Sequence, residues 1–216
     1  MTEDQIKLDW ERRRRLGFDE AVFCAGKSRA QLSTILDQVA AAEERMLLTR
    51  LDEAQFSKLP DIHRNSLDYD PVSRTAFFGD PIKVNARRAA VVTAGSSDVP
   101  VAVEAVRTLA FNGVGALVVH DVGVAGLWRL VERIDEIKAL PVVIVVAGMD
   151  GALPSVIGGL APNLVIAVPT SVGYGAARNG ETALNAALAS CAPGLVVCNI
   201  DNGYGAACAA MRALGR

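Results

Sequence analysis

A three-layer α/β/α sandwich on a parallel sheet, with a smaller N-terminal α+β segment, is the fold class this 216-residue sequence predicts. Two observations carry that reading. From residue 89 onward an apolar run, a Gly/Ser/Asp-rich turn and a helical stretch recur, the grammar of right-handed β-α-β crossovers. The chain is 51% hydrophobic yet only 5% aromatic, so its core is Val, Ala, Leu and Ile, as strands buried on both faces prefer. The reading divides the chain into a helical segment and linker over residues 1–82 and an α/β domain over residues 83–216.

Asp4 to Leu16 is charged and helix-prone, with Asp9, Arg12 and Arg15 spaced to share one face, and Gly17-Phe18 ends it. Val22 to Lys27 reads as a short strand and turn. Ser28 suits the N-cap of a helix from Arg29 to Met46, whose apolar stripe is Leu32, Ile35, Leu36, Val39 and Ala40. Asp61 to Asn85 lacks periodicity, and Pro60, Pro71 and Pro81 predict a linker that crosses to the main domain.

The alternation then becomes regular. Ala89 to Ala94 predicts a strand, with a helix from Pro100 to Phe111 after the turn at Gly95. Ala116 to His120 predicts the next strand, followed by a helix to Lys138. Val142 to Ala147, the most apolar run, predicts the central strand, with a helix ending at Gly158-Gly159. Leu164 to Val168 and Leu195 to Ile200 are the last two strands, separated by a helix over Glu181 to Ser190. In such a sheet every strand-to-helix turn lies on one edge, where α/β proteins build ligand sites.

Composition excludes several classes. A formal charge of -2 gives no electrostatic case for binding a nucleic-acid backbone. No apolar run approaches the ~20 residues of a membrane span, and Met1-Thr2-Glu3-Asp4 does not start a secretory leader, so a cytoplasmic location is expected. Cys24, Cys191, Cys198 and Cys208 form no CxxC pair, which argues against a zinc ribbon or disulfide scaffold. With only His63 and His120 present, a His-rich metal site is not expected.

The turns hold the candidate chemistry. Gly95-Ser96-Ser97-Asp98-Val99-Pro100 sets two hydroxyls and a carboxylate at a helix N-terminus, where phosphate binding and plain capping both fit. Asp150, in Gly148-Met149-Asp150-Gly151, either holds Mg²⁺ or a ribose or caps the next helix. Asp121 and Asp201 sit at strand ends with the same two readings, and three carboxylates on one edge tell more than any one. Arg12, Arg15 and Lys27 either reach an anionic ligand or lie on a solvated face. Cys191 is either a small packing residue or a nucleophile. Its place near a helix C-terminus disfavours the thiolate, so activation must come from elsewhere, and a cationic substrate supplies it. Cys198 and Cys208 read as packing.

Ordered motifs along nearly the whole chain carry a family resemblance. They run from DxxRxxRxGF at Asp9 to Phe18 and Gly26-Lys27 to Thr93-Ala94-Gly95-Ser96-Ser97-Asp98-Val99-Pro100 and Asp121-Val122-Gly123-Val124-Ala125-Gly126. Val145-Val146-Ala147-Gly148-Met149, Ala152-Leu153-Pro154-Ser155-Val156 and Val168-Pro169-Thr170-Ser171-Val172-Gly173-Tyr174-Gly175 follow. Ser190-Cys191-Ala192 and Asn199-Ile200-Asp201-Asn202-Gly203 close the set. With these the sequence resembles the LarB family, carboxylase/hydrolases that begin nickel-pincer cofactor biosynthesis.

The resemblance implies a C-terminal domain similar to aminoimidazole ribonucleotide (AIR) carboxylase, the PurE fold, assembled as a homo-octamer with sites at subunit contacts. It implies nicotinic acid adenine dinucleotide and CO2 or bicarbonate as substrates, with Mg²⁺ assisting at the diphosphate. A cysteine at the position of Cys191 adds to the pyridinium. Asp150 and Asp201 are the candidate catalytic carboxylates and Asp150 the candidate metal ligand, with the base open among Asp121, Asp150 and Asp201. Gly95, Ser96, Ser97, Asp98, Asp121, Gly123, Val124, Ala125, Gly148, Met149, Pro169, Thr170, Ser171 and Asn202, with Arg12, Arg15 and Lys27, are the candidate substrate-binding residues. No nucleic acid or membrane partner is expected. The sequence departs from the family pattern at Asp150, where Glu is expected, at Trp128, where His is usual, and at Cys24. Two other readings stay open: an aminoimidazole ribonucleotide carboxylase or mutase, and a non-catalytic nucleotide-binding module.

Overall fold

The structure, a computed structural model, describes residues 6–215. It contains two sheets. The first is four-stranded, in the order β1-β2-β4-β3, from β1 (Ala21–Phe23), β2 (Met46–Thr49), β3 (Leu67–Asp70) and β4 (Thr75–Phe78). Between β1 and β2 lies α2 (Arg29–Ala41), preceded by the short α1 (Arg12–Leu16). Ser28 caps α2 as expected: its side chain accepts from the Gln31 amide while the Gln31 side chain accepts from the Ser28 amide. Leu32, Ile35, Leu36 and Val39 bury one face of α2 against Met46 and Leu48.

Two expectations for this segment are corrected. The helix from Arg29 does not reach Met46; it stops at Ala41, Glu43 turns with φ +53, and Met46–Thr49 becomes a fully buried strand. Residues 61–85 are not a plain linker, because they hold α4 (Asp61–Arg64) and the β3–β4 hairpin, after α3 (Glu53–Ser57). Pro71 opens the hairpin turn, where its fixed φ fits, and Pro60 precedes α4. Among the described residues of the expected first helix only Arg12–Leu16 is helical; Asp4 and Gln5 fall outside the described residues.

The second sheet is parallel throughout, in the order β6-β5-β7-β8-β9. Its strands are β5 (Arg87–Thr93), β6 (Gly115–Val119), β7 (Val142–Ala147), β8 (Leu164–Pro169) and β9 (Leu195–Val197), and β7 is central as the sequence predicts. Alternate residues along a strand face opposite sides. Val91, Ile144 and Ile166 pack with α5 (Val99–Phe111) and α9 (Gly203–Ala213). Val92, Val143 and Val145 pack on the other face with α6 (Leu127–Lys138) and α7 (Leu153–Leu160). The remaining helix of this domain, α8 (Glu181–Leu188), returns between β8 and β9. This is the expected three-layer sandwich. No helix among the described residues is long and apolar enough to cross a membrane.

The small sheet lies against α5. Arg107 stacks 4.0 Å from the Phe77 ring centroid and donates to Thr75 Oγ1 at 2.7 Å, while Arg45 stacks 4.6 Å from the Phe111 ring centroid and donates to the Phe111 carbonyl. Each guanidinium thus combines an aromatic face with a hydrogen bond.

Candidate active site

The turns after β5, β6, β7, β8 and β9 gather on the carboxyl edge of the parallel sheet, and one hydrogen-bonded chain runs through them. Asp98 sits inside this edge, 3% exposed. Its Oδ2 accepts from the Gly95 amide at 2.9 Å, and Thr170 Oγ1 donates to its Oδ1 at 2.6 Å. Burial pushes the Asp98 pKa above the usual carboxylate value, against the opposing pull of the Thr170 hydrogen bond. Between them lies Gly148, where a Cβ would come within 2.5 Å of Thr170 Oγ1 and of the Val172 carbonyl, so only glycine fits. Asp98 therefore braces two turns from behind, and the exposed hydroxyls of Ser96 and Ser97 stand in front.

Three of these turns contain a non-glycine residue in left-handed backbone: Asp121 (φ +58), Met149 (φ +56) and Asp201 (φ +56). Such conformations strain an L side chain and concentrate at working sites. Asp121 is paired, since Arg129 of α6 donates to its Oδ2 at 2.5 Å, and its amide donates to the buried Thr93 hydroxyl at 3.1 Å. Gly123 packs so close to the Ala94 carbonyl that a Cβ would meet it at 2.7 Å, which fixes the Val124-Ala125 turn beside the turn after β5. Asp150 is exposed, and its Oδ1 accepts from the Ala152 amide at 3.3 Å. Asp201 Oδ1 accepts from the Ser171 amide at 2.8 Å while the Asp201 amide donates to the Pro169 carbonyl at 2.8 Å, so the turns after β8 and β9 are stitched together. Asn202 Oδ1 caps α9 through the Gly205 amide at 2.7 Å.

Other expected residues stand apart. Arg15 donates through two nitrogens to Asp9 at 2.8 and 2.6 Å, a pairing that holds the Asp9 carboxyl below its ordinary pKa, and Arg12 faces Glu20 at 3.8 Å. Both arginines are held by carboxylates of their own segment. Lys27 lines a cleft of about 230 Å³ with Glu20, Phe23 and Gln31 on the small sheet.

Cys191 is exposed, while burial pushes the Cys24 thiol up to about 12 and the Cys208 thiol up to about 11, and raises that of Cys198. Its position follows from topology. Gly180, at the start of α8, packs against the Thr170 carbonyl on the carboxyl edge. From there α8 runs back along the sheet for eight residues, about 12 Å. Cys191 follows in the loop that enters β9, alongside α7, with Ala192 packed against Gly158. Its neighbour Ser190 meets Ser155 Oγ, in the first turn of α7, at 2.7 Å, and Leu188 and Val196, before and after the cysteine in sequence, are exposed.

Sequence reasoning overlooked a cleft of about 410 Å³ beside the Asp201 turn, lined by Phe23, Thr49, Arg50, Glu104, Asn199, Ile200, Asn202 and Tyr204. Glu104, 3% exposed, accepts from Arg50 Nε at 3.2 Å and from the Tyr204 amide at 3.3 Å. Burial raises its pKa even against the Arg50 charge. A signal was present: Glu104 interrupts the apolar stripe of α5 between Val101 and Thr108, where only a partnered charge is tolerated.

Comparison with known proteins adds two modules and a relative. Residues 2–80 match the LarB/PurE-like N-terminal domain, and residues 88–216 match AIR carboxylase. An uncharacterized protein of Methanocaldococcus jannaschii is 37% identical over 223 residues, covering 94% of this chain and 82% of that one.

Proposed function

Since the chain belongs to the LarB family, an AIR carboxylase domain behind a LarB-type N-terminal domain, we propose that it carboxylates nicotinic acid adenine dinucleotide and cleaves its phosphoanhydride. The products are pyridinium-3,5-biscarboxylic acid mononucleotide and AMP, and the reaction opens nickel-pincer cofactor synthesis in the cytoplasm. The observation that carries this reading is the exposed thiol of Cys191, set among cysteines that burial keeps protonated.

The chemistry needs that thiol. A pyridinium ring is too electron-poor to attack CO2. Addition of the Cys191 thiolate forms a C–S bond, removes the ring's positive charge and leaves an enamine carbon that attacks CO2. A base then takes the ring proton, the C–S bond breaks, and the thiolate leaves as aromaticity returns. Asp201, fixed against the Ser171 amide, is the proposed proton acceptor. Ser96, Ser97 and the turns at Gly95, Gly123 and Gly148 line the edge on which the dinucleotide would lie.

Among the described residues no three His, Cys, Asp or Glu side chains cluster as a protein-only metal cage. Asp150 fits a magnesium ion held by one carboxylate and the substrate's own phosphate oxygens, since only its Oδ1 caps a backbone amide. When bound there, the ion supplies positive charge to the diphosphate.

A self-assembled site completes the reading. We propose that the cysteine of one copy serves the glycine turns of another. The exposed Leu188 and Val196, before and after Cys191 in sequence, and Leu127, Trp128 and Val131 on α6, supply apolar surface for such contacts in a homo-octamer.

The test is mass spectrometry of full-length protein with nicotinic acid adenine dinucleotide, bicarbonate and Mg²⁺. Carboxylated mononucleotide and AMP are expected, and neither from Cys191→Ala. A second reading, an aminoimidazole ribonucleotide carboxylase or mutase, draws on the match of residues 88–216 to AIR carboxylase, and that chemistry uses no thiol. Full activity of Cys191→Ala on the imidazole substrate would select it.

A further inference from the structure

Arg50 follows β2 of the small sheet, yet its side chain reaches across the cleft beside the Asp201 turn. Its backbone is left-handed, φ +55, and the next amide, of Leu51, donates to the Arg74 carbonyl at 2.9 Å, which locks that conformation. From this anchored start the guanidinium makes two contacts on the large domain. Nε donates to Glu104 Oε1 at 3.2 Å, and Nη2 donates to the carbonyl of Asp201. Glu104 in turn accepts from the Tyr204 amide at the start of α9.

The arrangement has little slack. Gly203 packs so closely on α5 that a Cβ would lie 2.3 Å from the Val101 carbonyl. The Asp201 turn is thereby pressed from one side by α5 and gripped from the other by Arg50. Asp201 itself is left-handed and needs its carbonyl direction held. A carbonyl that accepts from a charged guanidinium is held more firmly than by a neutral donor.

We propose that Arg50 is a positioning residue: it reaches from the N-terminal sheet to fix the Asp201 carbonyl, and so aims the Asp201 carboxylate at the Ser171 amide and the carboxyl edge. Glu104 orients the guanidinium. The N-terminal domain is then a working part of the edge it covers. The link to catalysis rests on the function proposed above; the positioning itself does not.

Amide hydrogen exchange on the full-length protein separates the two. In Arg50→Met, exchange at Ser171 and across 199–203 rises at least tenfold while β7 stays protected. Arg50→Lys, with one charged head that cannot span both partners, gives an intermediate rise. Should Arg50→Met fold poorly, as faster exchange in β7 would report, Glu104→Gln keeps side-chain volume and gives the same local rise. Unchanged exchange at Ser171 and 199–203 in a folded variant overturns the inference, whether or not the wild type turns over. With a turning-over wild type, kcat falls at least tenfold in Arg50→Met and KM stays within threefold. A raised KM at constant kcat also overturns it, making Arg50 a substrate contact.

Discussion

Thr170 and Asp98 meet beyond the end of the central strand, the threonine hydroxyl donating to the carboxylate at 2.6 Å with both side chains buried. One residue follows β8 and the other closes the turn after β5. Their bond spans the place where Gly148 leaves no side chain in the way. It ties together the two turns that would face the phosphates.

Thr170→Val keeps the shape and removes the hydroxyl. The buried carboxylate loses one partner, and the fold should lose about 1–3 kcal/mol. Urea unfolding of the two proteins at neutral pH measures it; equal midpoints would show that the bond contributes nothing.

Asp98 also gives a pH signature. Burial raises its folded pKa above the ordinary 3.8, so the folded chain keeps this proton to higher pH than the unfolded chain does. Its contribution to stability is greatest below 3.8 and declines as pH rises through the raised folded value. Asp98→Asn cannot titrate. The stability advantage of wild type over Asp98→Asn should shrink from pH 4 to pH 7, by about 1.4 kcal/mol for each factor of ten by which folding weakens the acid. A constant difference across that range would contradict the assignment.

Thiol mapping tests the cysteines. With iodoacetamide near neutral pH, Cys191 should alkylate first, since it is exposed, and Cys24 and Cys208 last, since burial lifts their thiols to about 12 and about 11. Nicotinic acid adenine dinucleotide should slow the reaction at Cys191. Peptide mass spectrometry reads the order directly, and preferential labelling of Cys24 would refute it.

Mixing variants tests whether sites are shared between copies. Cys191→Ala and Asp201→Asn should each be inactive alone. Dissociated together and reassembled in equal amounts, they should recover about a quarter of wild-type turnover, the share of random pairings with both native residues. No recovery from properly reassembled material would place the cysteine and the carboxylate in one chain's site.

Much of the large domain was legible because its physics is local. Buried parallel strands such as Val142–Ala147 are continuous apolar runs, and a glycine turn ends each one. The small sheet was not, since Met46-Leu47-Leu48 has helix-forming side chains and becomes strand only through pairing with β1 and β4. At the site, the strand-end aspartates could be named from their turns. Their partners could not: Arg50 lies 151 residues from Asp201 in sequence, and Arg129 finds Asp121 only once α6 folds back.

The left-handed backbone at Asp121 and Asp201 is bound up with what those side chains hold. Glycine would ease the torsion, but it would loosen the unfolded chain and strip away the bond to Arg129 or to the Ser171 amide. Each corner and the carboxylate it carries therefore stand or fall together.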